Sequence, residues 1–102
     1  MISVRVLLTA FGKPNEERIV DIPMEPEAFA ILKQSTKLDQ VFHYGQNDIQ
    51  PKQQYSVSCG DVIILDNAYH LVCGFGFKTM SIEEFHDYIQ IEPVLRALSM
   101  LN

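Results

Sequence analysis

The sequence predicts an α+β domain, in which a mostly antiparallel sheet of about five strands carries one inserted helix and a helical C-terminus. Three observations support this fold class. The N-terminal residues alternate between apolar and polar, two apolar runs flank Asp66-Asn67, and helix-start signals stand at Pro26 and Ser81. At 102 residues the chain is near the commonest domain size, so we expect one domain over residues 1–102.

The chain is predicted to open with a β-hairpin. Every second residue from Ile2 to Leu8 is apolar, which is typical of a strand with one buried face. The segment 11–17 is rich in turn-forming Gly, Pro and Asn, and the segment from Arg18 to Ile22 then predicts a second strand.

A helix is expected after this hairpin. Pro23 ends the second strand, and Pro26 suits the first turn of a helix because the N–H that it lacks is not needed there. The helix is predicted to end near Ser35. The apolar segment 38–44 is either a strand or the end of a helix.

The stretch from Tyr55 to Phe77 predicts a buried hairpin, because it lacks Lys and Arg and is punctuated by glycines. With Asp66-Asn67 as a two-residue turn, Leu65 pairs with Ala68 and Ile63 pairs with His70. Two glycines near the end of the stretch permit a bulge or bend there, and we expect both Phe75 and Phe77 to pack.

The C-terminal part is predicted to be helical. Ser81 and Glu84 have the spacing of a capping box, in which each side chain accepts a hydrogen bond from the other residue's backbone N–H. Apolar residues then follow at helical spacing, namely Ile82, Phe85 and Ile89. After Pro93 a second apolar stripe of Val94, Leu98 and Leu101 forms either the last piece of core or an interface helix.

Charge argues against nucleic-acid binding. The chain has 8 basic and 13 acidic residues, a net charge of −5, and no two basic residues are adjacent. Phosphate recognition needs clustered Lys and Arg, so a nucleic-acid partner is not expected. No secretion signal or membrane-length apolar run is present, and the two cysteines are therefore expected to be reduced thiols in the cytoplasm.

Asp61 and His70 are the only candidate pair for acid–base chemistry. In the register above they lie diagonally on one face of the hairpin, where a carboxylate can orient and tune a histidine base. The alternative is that Asp61 accepts turn N–H groups after Gly60 while His70 packs or faces solvent. We favour the alternative, because no motif places a serine or cysteine nucleophile beside the pair.

Cys59 and Cys73 are predicted to be buried free thiols. The register places Cys73 opposite Gly60, so the two cysteines point to opposite faces unless a bulge intervenes, and a disulfide is not expected. Neither the cysteines nor the isolated histidines have metal-ligand spacing. No metal or other cofactor is expected.

The loop of residues 45–54 is the most suggestive surface element. It is rich in amides between Tyr44 and Tyr55, and such a mixture can hydrogen-bond to a protein partner. The alternative is a solvated connector. The candidate partner-binding residues are Tyr44, Gln46, Asn47, Asp48, Ile49, Gln50 and, in the C-terminal helix, Leu98.

The run from Ser56 to Leu65, Ser-Val-Ser-Cys-Gly-Asp-Val-Ile-Ile-Leu, followed by a strand that ends in Gly76-Phe77, resembles the YodL-like domain. The resemblance spans about residues 38–85 and departs from the family pattern at His70 and Cys73. It implies a small accessory module of bacteria or mobile elements without established catalysis, and it supplies no active-site residues.

Three functions follow as hypotheses. The first is a non-catalytic protein-interaction module that binds a partner or itself through loop 45–54 and the C-terminal helix. The second is a small-barrel nucleic-acid binder that uses the hairpin at Gly60-Asp61. The third is a hydrolase or ligand-binding enzyme that uses Asp61, His70 and Cys59. The absence of a catalytic or cofactor motif favours the first.

Overall fold

The computed structural model describes residues 1–11, 16–46, 49 and 55–91. The strands among these residues are β1 (Ile2–Leu7), β2 (Glu17–Ile22), β3 (Val62–Leu65), β4 (Ala68–Cys73) and β5 (Gly76–Met80). These five strands form one antiparallel sheet in the order β2-β1-β3-β4-β5, and the predicted α+β class is confirmed. The helices are α1 (Pro26–Ala30), α2 (Gln34–Tyr44) and α3 (Ile82–Gln90), and a 3-10 turn covers Thr9–Phe11.

The sheet is covered by helices on both faces, which gives two hydrophobic cores. The larger core joins α1 and α2 to one face, with contributions from Phe29, Leu38, Val41, Val20, Ile22, Ile63 and Val72 among others. The smaller core joins α3 to the other face and consists of Val62, Leu71, Met80, Phe85 and Tyr88. Since β3 and β4 are buried on both faces, they read as continuous apolar runs in the sequence.

The predicted opening hairpin is confirmed. β1 and β2 pair antiparallel from Ile2 opposite Ile22 to Leu7 opposite Glu17. Alternate residues of β2 are buried, as the period of a strand requires. On the solvent face, Ser3 donates a hydrogen bond to Asp21 at 2.7 Å.

The prediction of one helix from Pro26 to near Ser35 is wrong. α1 ends at Ala30, and Lys33 is extended, with φ −63° and ψ 151°, before α2 begins at Gln34. Segment 38–44 belongs to α2, and its Leu38 and Val41 are spaced to face the sheet together. The break turns the chain so that Phe29 of α1 and the buried residues of α2 reach the same core.

The predicted β3–β4 hairpin is confirmed with its register. Asp66 and Asn67 both have positive φ, 51° and 63°, as a type I′ turn requires. Ile63 lies opposite His70. Phe77 packs against the larger core, but Phe75 is fully exposed in the β4–β5 turn, so the prediction that it packs is wrong.

The predicted capping box at α3 is confirmed. Ser81 accepts a hydrogen bond from the Glu84 N–H at 3.1 Å, and the Glu84 carboxylate accepts one from the Ser81 N–H at 3.1 Å. Phe85 stacks on Tyr69 with ring centroids 4.3 Å apart. Ile82, which the helical spacing groups with Phe85 and Ile89, is 63% exposed, because Phe85 and Tyr88 form the buried side of α3.

We expect the type I′ turn to tolerate Asn67→Gly and to resist Asn67→Val. A β-branched residue in the left-handed region is strained by about 1–2 kcal/mol, whereas glycine adopts that conformation freely. Urea unfolding measures both variants, and Asn67→Gly is the control because the side chain it removes is exposed. Equal free energies of unfolding for the two variants would contradict the assignment of the turn.

Candidate functional site

Asp61 is positioned by a turn and a bulge that depend on Gly60. The Asp61 N–H donates to the Ser58 carbonyl at 3.0 Å, and Gly60, with φ +98°, occupies the third position of this turn, as in type II. The Gly60 N–H donates to the Val72 carbonyl at 2.8 Å, and the Val72 N–H donates to the Asp61 carbonyl at 2.9 Å. Gly60 and Asp61 therefore both lie opposite Val72. This is a β-bulge whose first residue, Gly60, has a left-handed conformation.

The Asp61 carboxylate is completely buried and accepts two backbone hydrogen bonds. Oδ1 accepts from Ala10 N–H at 3.0 Å, and Oδ2 accepts from Ser58 N–H at 2.9 Å. Burial raises the pKa of the Asp61 carboxyl, and the hydrogen bonds from Ser58 and Ala10 partly oppose that rise. The carboxylate thus joins the 3-10 turn to the start of β3, which is close to the alternative role proposed from the sequence.

The Gly60 carbonyl is a second buried junction. It accepts hydrogen bonds from Thr9 Oγ1 at 2.6 Å and from the Tyr88 hydroxyl at 2.5 Å. Thr9 comes from the 3-10 turn and Tyr88 from α3. A Cβ at Gly60 would lie 3.2 Å from that of Ala10 and would also require a strained backbone. We call Gly60, Asp61, Thr9 and Tyr88 the Gly60–Asp61 junction.

His70 is completely buried, and both of its ring nitrogens have partners. Nε2 lies 3.3 Å from the Leu65 carbonyl oxygen, which can only accept, so Nε2 donates to it. Nδ1 lies 3.0 Å from Thr79 Oγ1. The described hydrogen bonds of His70 do not include Asp61, so the structure gives each member of the candidate pair partners of its own.

Arg18 is a buried residue that the sequence reasoning missed. Only 3% of it is exposed, and its Nη1 donates to the carbonyls of Gly45 and Tyr55, the latter at 2.6 Å. Burial lowers the pKa of the guanidinium. The strand period was the available signal, since alternation in β2 places Arg18 on the same face as Val20 and Ile22.

Arg18 holds the two ends of loop 45–54 together. Gly45 ends α2, where the helix dipole favours a cation, and Tyr55 follows the loop. The Val57 N–H also donates to the Gly45 carbonyl at 3.0 Å, and a Cβ at Gly45 would lie 2.4 Å from Val57 Cγ2. Close packing at glycine and one shared guanidinium therefore fix where the loop leaves and rejoins the domain.

The predicted partner-binding residues fall into three groups: those with a structural role, one that is exposed, and those outside the described residues. Tyr44 is partly buried, and the Gln46 amide donates to the Phe42 carbonyl at 2.9 Å and the Val57 carbonyl at 3.0 Å, so Gln46 has a structural role. Ile49 is 43% exposed. Asn47, Asp48, Gln50 and the C-terminal residues Val94, Leu98 and Leu101 lie outside the described residues.

The cysteines are free, but they differ from the prediction in two ways. Cys59 is exposed, and the bulge shifts the register so that Gly60 and Asp61 together oppose Val72. Burial, and then the proximity of Cys59, raises the pKa of the partly buried Cys73 thiol. Within the described ranges, no cluster of three His, Cys, Asp or Glu side chains could hold a metal ion.

We expect Tyr88→Phe and Thr9→Val each to cost about 0.5–1.5 kcal/mol of unfolding free energy, since either change leaves the Gly60 carbonyl one hydroxyl donor. The double variant removes both donors from a buried carbonyl. Its loss is expected to exceed the sum of the single losses by about 1 kcal/mol. A double-mutant cycle by urea unfolding measures this coupling, and simple additivity would contradict the shared acceptor.

The raised pKa of Asp61 predicts a pH dependence. The folded state holds the proton to higher pH than the unfolded state, so the contribution of Asp61 to stability is complete below the ordinary pKa of 3.8 and is lost as pH rises through the folded value. The free energy of unfolding of the protein minus that of the Asp61→Asn variant should therefore fall as pH rises above about 4.

Urea unfolding of the protein and the Asp61→Asn variant at several pH values from about 4 to 7 measures this difference, and Asp39→Asn in α2 serves as an exposed control. A difference that grows with pH would contradict the direction of the shift.

Comparison with protein-family models, with curated proteins and with solved structures finds no match to this chain.

Proposed function

We propose that this protein is a small, non-catalytic protein-interaction module of the cytoplasm, which binds its partner through loop 45–54. The observation that carries the proposal is that the two ends of the loop are held together. Its flanking carbonyls, those of Gly45 and Tyr55, accept hydrogen bonds from one buried nitrogen of Arg18. Fixing the ends of a loop reduces the conformational entropy that is lost when the loop binds a partner.

Exposed apolar side chains at this position support the proposal further. Ile49 is 43% exposed and Tyr55 is 60% exposed, and tyrosine is enriched among the residues that contribute most to protein interfaces. The amide-bearing residues between them supply hydrogen-bonding groups in the sequence.

The state of Asp61 and His70 weighs against the hydrolase alternative. Both side chains are completely buried, and each is hydrogen-bonded through both of its polar atoms. A general base must reach the proton it removes, and neither group offers an accessible free atom.

The described cations weigh against the nucleic-acid alternative. Arg5 pairs with Glu17 at 2.8 Å, Lys37 lies 3.2 Å from Asp66, and Lys78 lies 3.7 Å from Glu84. Arg18 is buried. These contacts reduce the positive charge that the described residues offer to phosphates, whose neutralisation supplies most nucleic-acid affinity, and the exposed Lys33 is a single basic side chain and not a cluster. Among the described residues, no helix is long and apolar enough to span a bilayer.

The YodL-like resemblance of residues 38–85 is consistent with an accessory role in bacteria or mobile elements, and it forms part of this proposal. A C-terminal helix carrying Leu98 is proposed as a second contact. Purification of the tagged protein from its native cells, followed by mass spectrometry, identifies the partner.

We expect Ile49→Ser and Tyr55→Ser to weaken capture of that partner by about tenfold each, since burial of one such side chain contributes more than 1 kcal/mol. Ile31→Ser is the matched control, because Ile31 is 85% exposed and lies between α1 and α2. Quantitative mass spectrometry of the captured proteins measures the change.

The proposal fails if the Ile49→Ser and Tyr55→Ser variants, with Asn47→Ala, Asp48→Ala and Leu98→Ala beside them, alter neither the captured proteins nor the oligomeric state. Fluorescence polarisation with DNA and RNA in about 50 mM salt provides a second test. Tight binding there would replace the proposal with the nucleic-acid alternative.

A further inference from the structure

β5 is an edge strand of the sheet, as the described residues form it, with backbone groups that point outward. Val72 of β4 bonds towards β3 through both its N–H and its C=O. Backbone direction alternates along a strand, so Leu71 and Cys73 bond towards their partners in β5, Lys78 and Gly76. The N–H and C=O groups of Phe77 and Thr79 therefore face away from the sheet.

An open groove of about 490 Å³ runs between this edge and α3. Its lining is apolar at the floor and charged at the rim. The residues that line it are Leu71, Cys73, Lys78, Met80, Glu84, Asp87, Tyr88 and Ile91. Because side chains alternate across a strand, a strand added to β5 would direct every second side chain towards this groove.

The rim carries excess negative charge. The charged residues of the lining are Lys78, Glu84 and Asp87, and Lys78 lies 3.7 Å from Glu84, which leaves the Asp87 carboxylate without a basic residue of its own in the lining. Basic side chains are therefore favoured in the groove over acidic ones. A second copy of this chain is a poor occupant, since each copy has a net charge of −5.

We propose that the β5 edge and its groove bind an extended, basic segment of a partner protein, which pairs with Phe77 and Thr79 as an added strand. Main-chain hydrogen bonds supply affinity in this mode, and side-chain pockets supply specificity. A Lys or Arg of the segment pairs with Asp87, and an apolar side chain contacts Met80 and Ile91. Phe75, fully exposed in the β4–β5 turn, extends the apolar contact.

None of the residues that form this surface belongs to loop 45–54, so the inference goes beyond the proposed function, and the two can fail independently. Loss of the captured partner in the Ile49→Ser and Tyr55→Ser variants tests the loop alone. Binding at β5 is read from the backbone amides of Phe77 and Thr79.

The test is an NMR titration of the full chain with a capped synthetic peptide of alternating lysine and valine, about seven residues long. We expect shifts and slower hydrogen exchange at the Phe77 and Thr79 amides. The same peptide with glutamate for lysine should bind at least tenfold more weakly. A peptide N-methylated at alternate amides should also lose binding, since it cannot complete the ladder.

Asp87→Asn should weaken binding of the lysine peptide about threefold or more, whereas Asp39→Asn, which removes the same charge from an exposed site on α2, should not. Three results would each overturn the proposal: no change at Phe77 and Thr79 with about 1 mM lysine peptide, equal binding of the glutamate or N-methylated peptide, or concentration-dependent shifts at these amides without peptide. The last would assign the edge to a second copy of the chain.

Discussion

The buried acceptors at Gly60 and Asp61 are the constraint on which the rest of the structure depends. The Gly60 carbonyl receives hydroxyl groups from Thr9 and Tyr88, and the Asp61 carboxylate receives the Ala10 and Ser58 N–H groups. Since an unpaired buried polar group costs about 1–3 kcal/mol, the 3-10 turn, β3 and α3 are held in one arrangement. The left-handed conformation of Gly60 makes the arrangement possible.

On the opposite face of the sheet, Arg18 likewise joins distant segments of the chain by buried hydrogen bonds. It connects β2 to the end of α2 and to Tyr55, and so it holds Gly45 and Tyr55, the residues on either side of the segment between them, in a fixed relation. Its Nε and Nη2 atoms are buried and have no hydrogen-bond partner among the described residues. Removing a guanidinium from water is costly, and the described contacts of Arg18 join the end of α2 to Tyr55.

The buried polar contacts of this fold use side chains that the sequence offers as catalytic candidates. Residues that resemble catalytic groups in the sequence, Asp61 and His70, are used to hold backbone and side chains together. The surfaces that we propose for recognition are the segment that carries the exposed Ile49 and Tyr55 and the outward edge of β5. Both proposals are for the binding of another protein chain, through a surface loop in the first case and through an added strand in the second.

The sequence by itself determined the local structure. Alternation in β1 and β2, the turn at Asp66-Asn67 and the capping box at Ser81 were all readable, because each depends on residues close together in the chain. Only the tertiary structure decided the break between α1 and α2, the partners of Arg18 and the partners of Asp61. Those depend on contacts between residues far apart in sequence, such as Thr9 with Gly60, and no local pattern specifies which distant donor meets which acceptor.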